Sequence, residues 1–286
     1  MLKTKTRKKK KVAIPLIIAS VIFGIYGASL AVPLAWGLVM SLKVPFEYFT
    51  DMLAFPKPMQ FRNYIQAFEE LQANGTGLLV MIYNSVWFSL GRTFLSTFAC
   101  MTAGYVCAKY RYTVCKIWYW TVIAAMIIPI IGTMGGALTL SINLGLFDNP
   151  LTLVSAYGAT GGHFIIMFAF FKGVDWGYAE SAFIDGAGHA RVFFQIMLPQ
   201  AISPIIALCL TSFIAAWGDS QTPLVYLPSY PTLASGFYEY QLISGRNANY
   251  PVLFAGLFMA SIPIIVLYIT FQDKLMNLNI SGGLKG

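Results

Sequence analysis

Few side chains in this 286-residue chain are able to do chemistry, and their spacing excludes most reactions. The two histidines, His163 and His189, lie in separate segments, and no H-E-x-x-H pair is present to hold zinc. Cys100, Cys107, Cys115 and Cys209 sit in or beside apolar runs, at spacings unlike those of zinc ligands. They read as small buried hydrophobes with no metal or redox role. No G-x-S-x-G turn offers a nucleophile, and no G-x-x-x-x-G-K-[ST] loop offers a phosphate cradle. Gly282-Gly283-Leu284-Lys285 lacks both the spacing of such a loop and a helix after it. An enzyme, and an ATPase in particular, is a poor reading. So are an ion channel and a proton-coupled transporter, because no span carries a ring-forming charged face or several buried acids.

Three features remain. Arg92 is the one basic residue inside an apolar run. It reads as snorkelling to an interface or pairing with a neighbouring subunit, with a functional intramembrane charge as the alternative. Trp217-Gly218-Asp219 ends another apolar run, with Asp219 on its outer half. The third feature is the polar-containing stretch from Tyr178 to Pro199. Within it Ala179–Ile184 favours helix, with Glu180 near the start, where a carboxylate suits the helix dipole. Asp185-Gly186-Ala187-Gly188 breaks that helix, and Gly188 is able to cap a second one. From His189 onward Val192, Phe193, Ile196 and Met197 recur at helical spacing, and Leu198-Pro199 is the expected end. Two short helices joined by a turn, between membrane spans, form a docking surface.

The elements that position these residues follow from composition. The chain is 57% hydrophobic and only 10% charged, against about a quarter charged in soluble domains. Six apolar spans are expected, at about 12–42, 78–108, 117–138, 151–171, 201–217 and 252–271. They form an all-α polytopic membrane protein in a single transmembrane domain. Pro129 and the Gly132, Gly135 and Gly136 cluster are expected to bend the third span or admit a neighbouring helix. His163, in the fourth, reads as a hydrogen-bonded bundle residue. Phe61–Leu71 has an amphipathic helical period and is expected along the membrane or on the bundle rim. The net charge of +8 does not indicate nucleic acid, because seven of the nineteen basic residues crowd into the first eleven positions. Such a start is a topology signal, and the apolar run after it is too long for a cleaved leader. Fourteen Lys and Arg fall on the side of the N-terminus and four on the other. Both termini (1–11 and the 272–286 tail) and the 178–199 loop are therefore expected in the cytoplasm.

The loop resembles the EAA loop of permease subunits of ATP-binding-cassette importers, which reads E-A-A, three residues, G, nine residues, then I/L-x-L-P. The matching residues are Glu180-Ser181-Ala182, Asp185-Gly186-Ala187 and Ile196-Met197-Leu198-Pro199. Ser181 stands in place of the first alanine, and Gly188 where Ser or Thr is frequent. Ser281-Gly282-Gly283-Leu284-Lys285-Gly286 is similar to the Gly-Gly-x-Lys-Gly tail of maltose-type carbohydrate permeases. Asn84-Ser85 resembles the opening of their core. Trp217–Leu224 is similar to their W-N-x-F-x-x-P-L element, although a tryptophan at a membrane interface explains the same residues.

This resemblance implies a carbohydrate importer's membrane subunit in a bacterial cell membrane. Its partners would be a second homologous permease, two cytoplasmic ATPases, an external solute-binding protein and membrane lipid, with no nucleic acid. ATP and Mg would be bound by the ATPases, leaving this chain without cofactor or metal. Glu180, Ser181, Ala182, Asp185, Gly186, Ala187, Leu198 and Pro199 would couple to the ATPases, and Ser281, Gly282, Gly283, Lys285 and Gly286 would reach between them. Asn84, Trp217 and Asp219 would line the translocation path, and Ser220–Asn249 would face the binding protein. Import of a glycerophosphodiester, amino acid or peptide is an alternative. A non-transport membrane anchor that docks a regulator is another.

Overall fold

The computed structural model describes residues 14–128, 132–156, 158, 161–245 and 248–281. The basic N-terminus, Pro129 and the tail residues Gly282, Gly283, Lys285 and Gly286 lie outside the described residues. Ser281 is the last residue of the final helix.

Helix α1 (Ile14–Ser41) is almost wholly exposed until its C-terminal end, where Met40 and Ser41 are buried. There Asn63 Nδ2 donates to the carbonyls of Ser41 and Lys43, both at 2.8 Å. The buried Lys43 ammonium donates to the carbonyl of Asp51. These bonds fasten α1 to a cap made of α2 (Pro45–Thr50), α3 (Asn63–Glu70) and a short antiparallel hairpin, Gln72–Ala73 with Thr76–Gly77. The hairpin turns on Asn74 (φ 48°) and Gly75 (φ 73°), an Asn-Gly pair suited to a two-residue turn with both φ positive. On α3, Ala67 and the following Leu71 are buried, while Phe61, Ile65 and Phe68 stay exposed. That is an apolar face left for the bilayer or the bundle rim.

The centre of the bundle is α4 (Leu78–Lys109), a continuous helix of 32 residues. The next apolar run, read from the sequence as one span from Ile117 to Leu138, is instead two helices. These are α5 (Thr113–Ile127) and α6 (Thr133–Asn143). Gly132, at the N-cap of α6, takes a left-handed φ of 82°, which an α-helix does not accommodate. No described atom lies within 4 Å of a Cβ placed at Gly135 or Gly136, so those glycines admit no described neighbour within this chain. A 3-10 turn, Pro150–Ala156, precedes α7 (Gly161–Gly173). Past the 178–199 loop come α10 (Ile202–Trp217), α11 (Gln221–Tyr226), α12 (Leu233–Ser244) and α13 (Tyr250–Ser281).

Among the described residues three helices are long and apolar enough to cross a bilayer. They are Ile17–Ser41, Leu78–Lys109 and Tyr250–Gln272. Two bent pairs, Pro150–Ala156 with Gly161–Gly173 and His189–Gln200 with Ile202–Trp217, pass the same test together, and Thr113–Ile127 is a shorter apolar helix. The fold is that of a polytopic helical membrane protein.

Close approach of α4 and α7 is made possible by Gly104. A Cβ there would lie 2.8 Å from Met167 Cβ and 3.0 Å from the backbone nitrogen of Phe168. Beside the α2–α3 cap, α10, α12 and α13 enclose a second core containing Phe213, Trp217, Leu233, Phe237, Val252 and Leu253. Trp217 is 5% exposed, stacks on Phe213 at 5.6 Å and donates its indole N–H to the carbonyl of Ala260 at 3.0 Å. It is a packing residue of this core. Trp217→Phe should keep the stack and lose the hydrogen bond, costing about 1–2 kcal/mol. That cost appears as a lower melting temperature of the purified protein, and an unchanged one would show that the indole is not held.

Candidate coupling surface

The 178–199 loop begins with α8 (Gly177–Ile184). Its ending is built by hydrogen bonds. Gly186, at φ 82°, donates from its N–H to Phe183 O at 3.0 Å, and Ala187 donates to Ala182 O at 2.9 Å. This pair of bonds is a Schellman motif, whose left-handed position favours glycine. Gly188 then caps the next helix in an extended conformation, φ −77° and ψ 162°, and Val192 N–H bonds its carbonyl at 3.0 Å.

The second helix, α9, spans His189–Gln200. Its middle, Val192–Met197, is π-helical. The sequence-based end at Leu198-Pro199 is too early, because helix continues through Leu198–Gln200 and turns only at Ala201. The wider π turns come just ahead of Pro199, which has no N–H to donate and whose ring would clash with a carbonyl four residues back in a regular helix. At Ala201 the chain bends by 79° into α10.

One face of both short helices is locked into the bundle. Ala179, Ala182, Val192, Phe193, Met197 and Ala201 are buried with Tyr105 of α4, Met167 and Phe171 of α7, and Leu208 of α10. Tyr105 and Phe193 lie 4.9 Å apart between ring centres. At the edge, Tyr110 hydroxyl meets His189 Nδ1 at 2.8 Å and Tyr110 stacks on Tyr112 at 5.8 Å. The opposite face is open. Glu180, Ser181, Ile184, Asp185 and Gly186 are exposed, and Ile184 is 85% exposed. Of the residues read as coupling residues, Ala182 is buried and Ala187 and Leu198 are partly buried, so they hold the loop rather than face outward. Pro199 is exposed beside the bend. The Tyr110–His189 contact has no signal in the sequence, because it joins positions 79 residues apart.

The remaining path residues lie elsewhere. Asn84, on α4, is 4% exposed, donates to Pro231 O at 3.0 Å and accepts from Trp87 Nε1 at 3.1 Å. That is a clamp between α4 and the segment before α12. Asp219 follows α10 and accepts Arg92 Nη1 at 2.7 Å. Arg92 therefore pairs within its own chain.

The chain as a whole has parallels among known proteins. A permease protein of a diacetylchitobiose uptake system from Streptomyces coelicolor is 25% identical over 248 residues, covering 85% of this chain and 80% of that protein. A permease protein of a maltodextrin transport system from Bacillus subtilis is 30% identical over 190 residues, 64% of this chain and 67% of that one. A crystal structure of a bacterial ABC transporter involved in the import of the acidic polysaccharide alginate contains a chain with the same fold. It superposes with a TM-score of 0.74 at 19% identity, covering 90% of this chain and 95% of that one. The family model for the binding-protein-dependent transport system inner membrane component matches residues 12–275, and this chain belongs to that family of multi-pass cell-membrane proteins.

Proposed function

We infer that this chain is one of two permease subunits of an importer that brings a carbohydrate into the cell. An external binding protein delivers the sugar and two cytoplasmic ATPases power its entry. The observation that carries this reading is the loop of α8 and α9. It is stiffened by the Schellman turn at Gly186, rooted by Val192, Phe193 and Met197, and joined to α10 through the 79° bend at Ala201. Force applied to its exposed face passes to α10 with little lost in bending. The names of the relatives, which concern diacetylchitobiose and maltodextrin, support a sugar as cargo.

In this reading the ATPases hold ATP and Mg and perform the hydrolysis. Glu180 meets a basic ATPase residue, with Ser181 and Asp185 beside it. The tail, with Ser281 ending α13 and Gly282, Gly283, Lys285 and Gly286 after it, reaches between the ATPases. Ser220–Asn249 faces the binding protein.

The test is reconstitution. This chain would be co-purified with the partner permease and ATPases and placed in proteoliposomes. Sugar-loaded binding protein should stimulate ATP hydrolysis at least several-fold, with sugar accumulating inside. Hydrolysis indifferent to the binding protein, or stimulated without accumulation, would defeat the proposal.

A further inference from the structure

A pocket of about 270 Å³ with a largely polar lining opens between α4, α7 and α10. It is lined by Arg92 and Ser96 from successive turns of α4, His163 from α7, Ser212 from α10, and Asp219 just beyond α10. Arg92 Nη1 donates to Asp219 Oδ2 at 2.7 Å and to Thr222 Oγ1 at 3.1 Å. Asp219 Oδ1 accepts the Thr222 backbone N–H at 3.0 Å. The guanidinium carbon lies 5.7 Å from the centre of the buried Phe88 ring. Arg92 and Asp219 are thus held in place, yet they remain 36% and 20% exposed. Deeper in, His163 Nδ1 lies 3.4 Å from Ser212 Oγ, and His163 Nε2 lies 3.4 Å from Thr211 Oγ1. Residues 212 and 219 are about 10 Å apart along a helix axis.

An ion pair and a histidine opening toward lipid would be costly, and such groups in membrane segments face a bundle interior or a water-filled cavity. The pocket mouth therefore faces the partner permease rather than lipid. Both described guanidinium bonds leave from Nη1, so the Nε and Nη2 donors are available to a ligand. The pair is neutral as a whole and offers planar donors beside a carboxylate acceptor, with the Ser96 and Ser212 hydroxyls below. This is chemistry suited to the adjacent hydroxyls of an uncharged sugar, whereas an acidic sugar would bring a second carboxylate against Asp219. The volume lies near the lower end of small-ligand pockets, about 300 Å³, which suits one sugar unit of a longer chain.

We propose that Arg92, Ser96, His163, Ser212 and Asp219 form a solute subsite on this chain that takes one uncharged sugar unit of the passing carbohydrate. The proposal rests on the importer reading above.

The reconstituted complex tests it with radiolabelled neutral di- and trisaccharides of hexose, pentose and N-acetylhexosamine, and with trigalacturonate as the acidic comparator. Uptake is measured per ATP hydrolysed, with the binding protein in excess and fully loaded with each probe compared, so that its own affinity does not enter. The complex should import a neutral probe in preference to trigalacturonate. Ser96→Ala and Ser212→Ala should each lower uptake per ATP about three- to tenfold, the effect of one lost hydrogen bond, while the melting temperature holds. The double swap Arg92→Asp with Asp219→Arg should restore assembly lost in Arg92→Asp alone and leave uptake low. Unchanged uptake in both serine variants, full uptake in the double swap, or preference for trigalacturonate would each overturn the subsite while leaving the importer intact. Import of no probe despite stimulated hydrolysis would instead remove the carbohydrate reading, and the subsite with it.

Discussion

Gly186→Val should leave the chain in the membrane and abolish solute-stimulated ATP hydrolysis by the assembled transporter. Gly186 sits at φ 82° with no described atom within 4 Å of a Cβ placed on it, so crowding is not the obstacle. The obstacle is the backbone. A left-handed conformation costs an L-residue about 1–2 kcal/mol, and valine is among the least tolerant. Escape from it breaks the bonds to Phe183 and Ala182 and frees α8 from α9. Gly186→Asn, which accepts left-handed φ, should retain most of the coupling. Glu180→Lys should match the valine variant for a different reason. It leaves the turn intact but places a cation in the first turn of α8 and reverses the charge offered to the ATPase. Gln195→Ala, exposed on α9, should be mild. Full ATPase attachment and full stimulated turnover in both Gly186→Val and Glu180→Lys would show that the loop is not the coupling element.

Gly104→Leu should prevent recovery of assembled complex. The contact at this glycine is with the Met167 Cβ and the Phe168 backbone, neither of which is able to swing aside, so α7 itself must move. Even Gly104→Ala should cost about 1–3 kcal/mol, the usual penalty for overpacking. Gly91→Ala gives the comparison. Its added methyl would approach Leu153 Cδ1 at 2.6 Å, but that atom ends a flexible side chain and rotates away. Melting curves of the purified variants should rank Gly91→Ala near the parent and Gly104→Ala clearly below it. Equal melting of the two would mean that α4 and α7 are not tightly packed at this level.

The loop was the most legible part of the chain. Its glycines mark a turn whose hydrogen bonds follow from local backbone geometry, and Val192, Phe193 and Met197 show their buried face by spacing alone. The helix end was misplaced because proline usually terminates a helix, whereas a wider π segment here carries the helix past Pro199. In the third span Pro129 and the glycine cluster signal a bend, but composition does not tell a bend from the full break into two helices that the left-handed Gly132 makes. Trp217 was ambiguous because an end-of-span tryptophan looks the same in sequence whether it meets lipid, sugar or, as here, the Ala260 carbonyl. The Arg92–Asp219 pair was invisible because no local rule connects positions 127 residues apart.

That separation has a consequence for how the protein is made. α4 leaves the ribosome long before Asp219 exists. At about 5–20 residues per second the interval is roughly 6–25 s. Throughout it, Arg92 waits in the growing chain without its carboxylate, at a cost of about 2.5–3.5 kcal/mol if placed at mid-membrane. The apolar remainder of α4 must outweigh that cost alone. Arginine suits the wait, since its long stem carries the charge toward the headgroups while the helix stays inserted. When α10 arrives it brings the carboxylate that Arg92 meets at 2.7 Å.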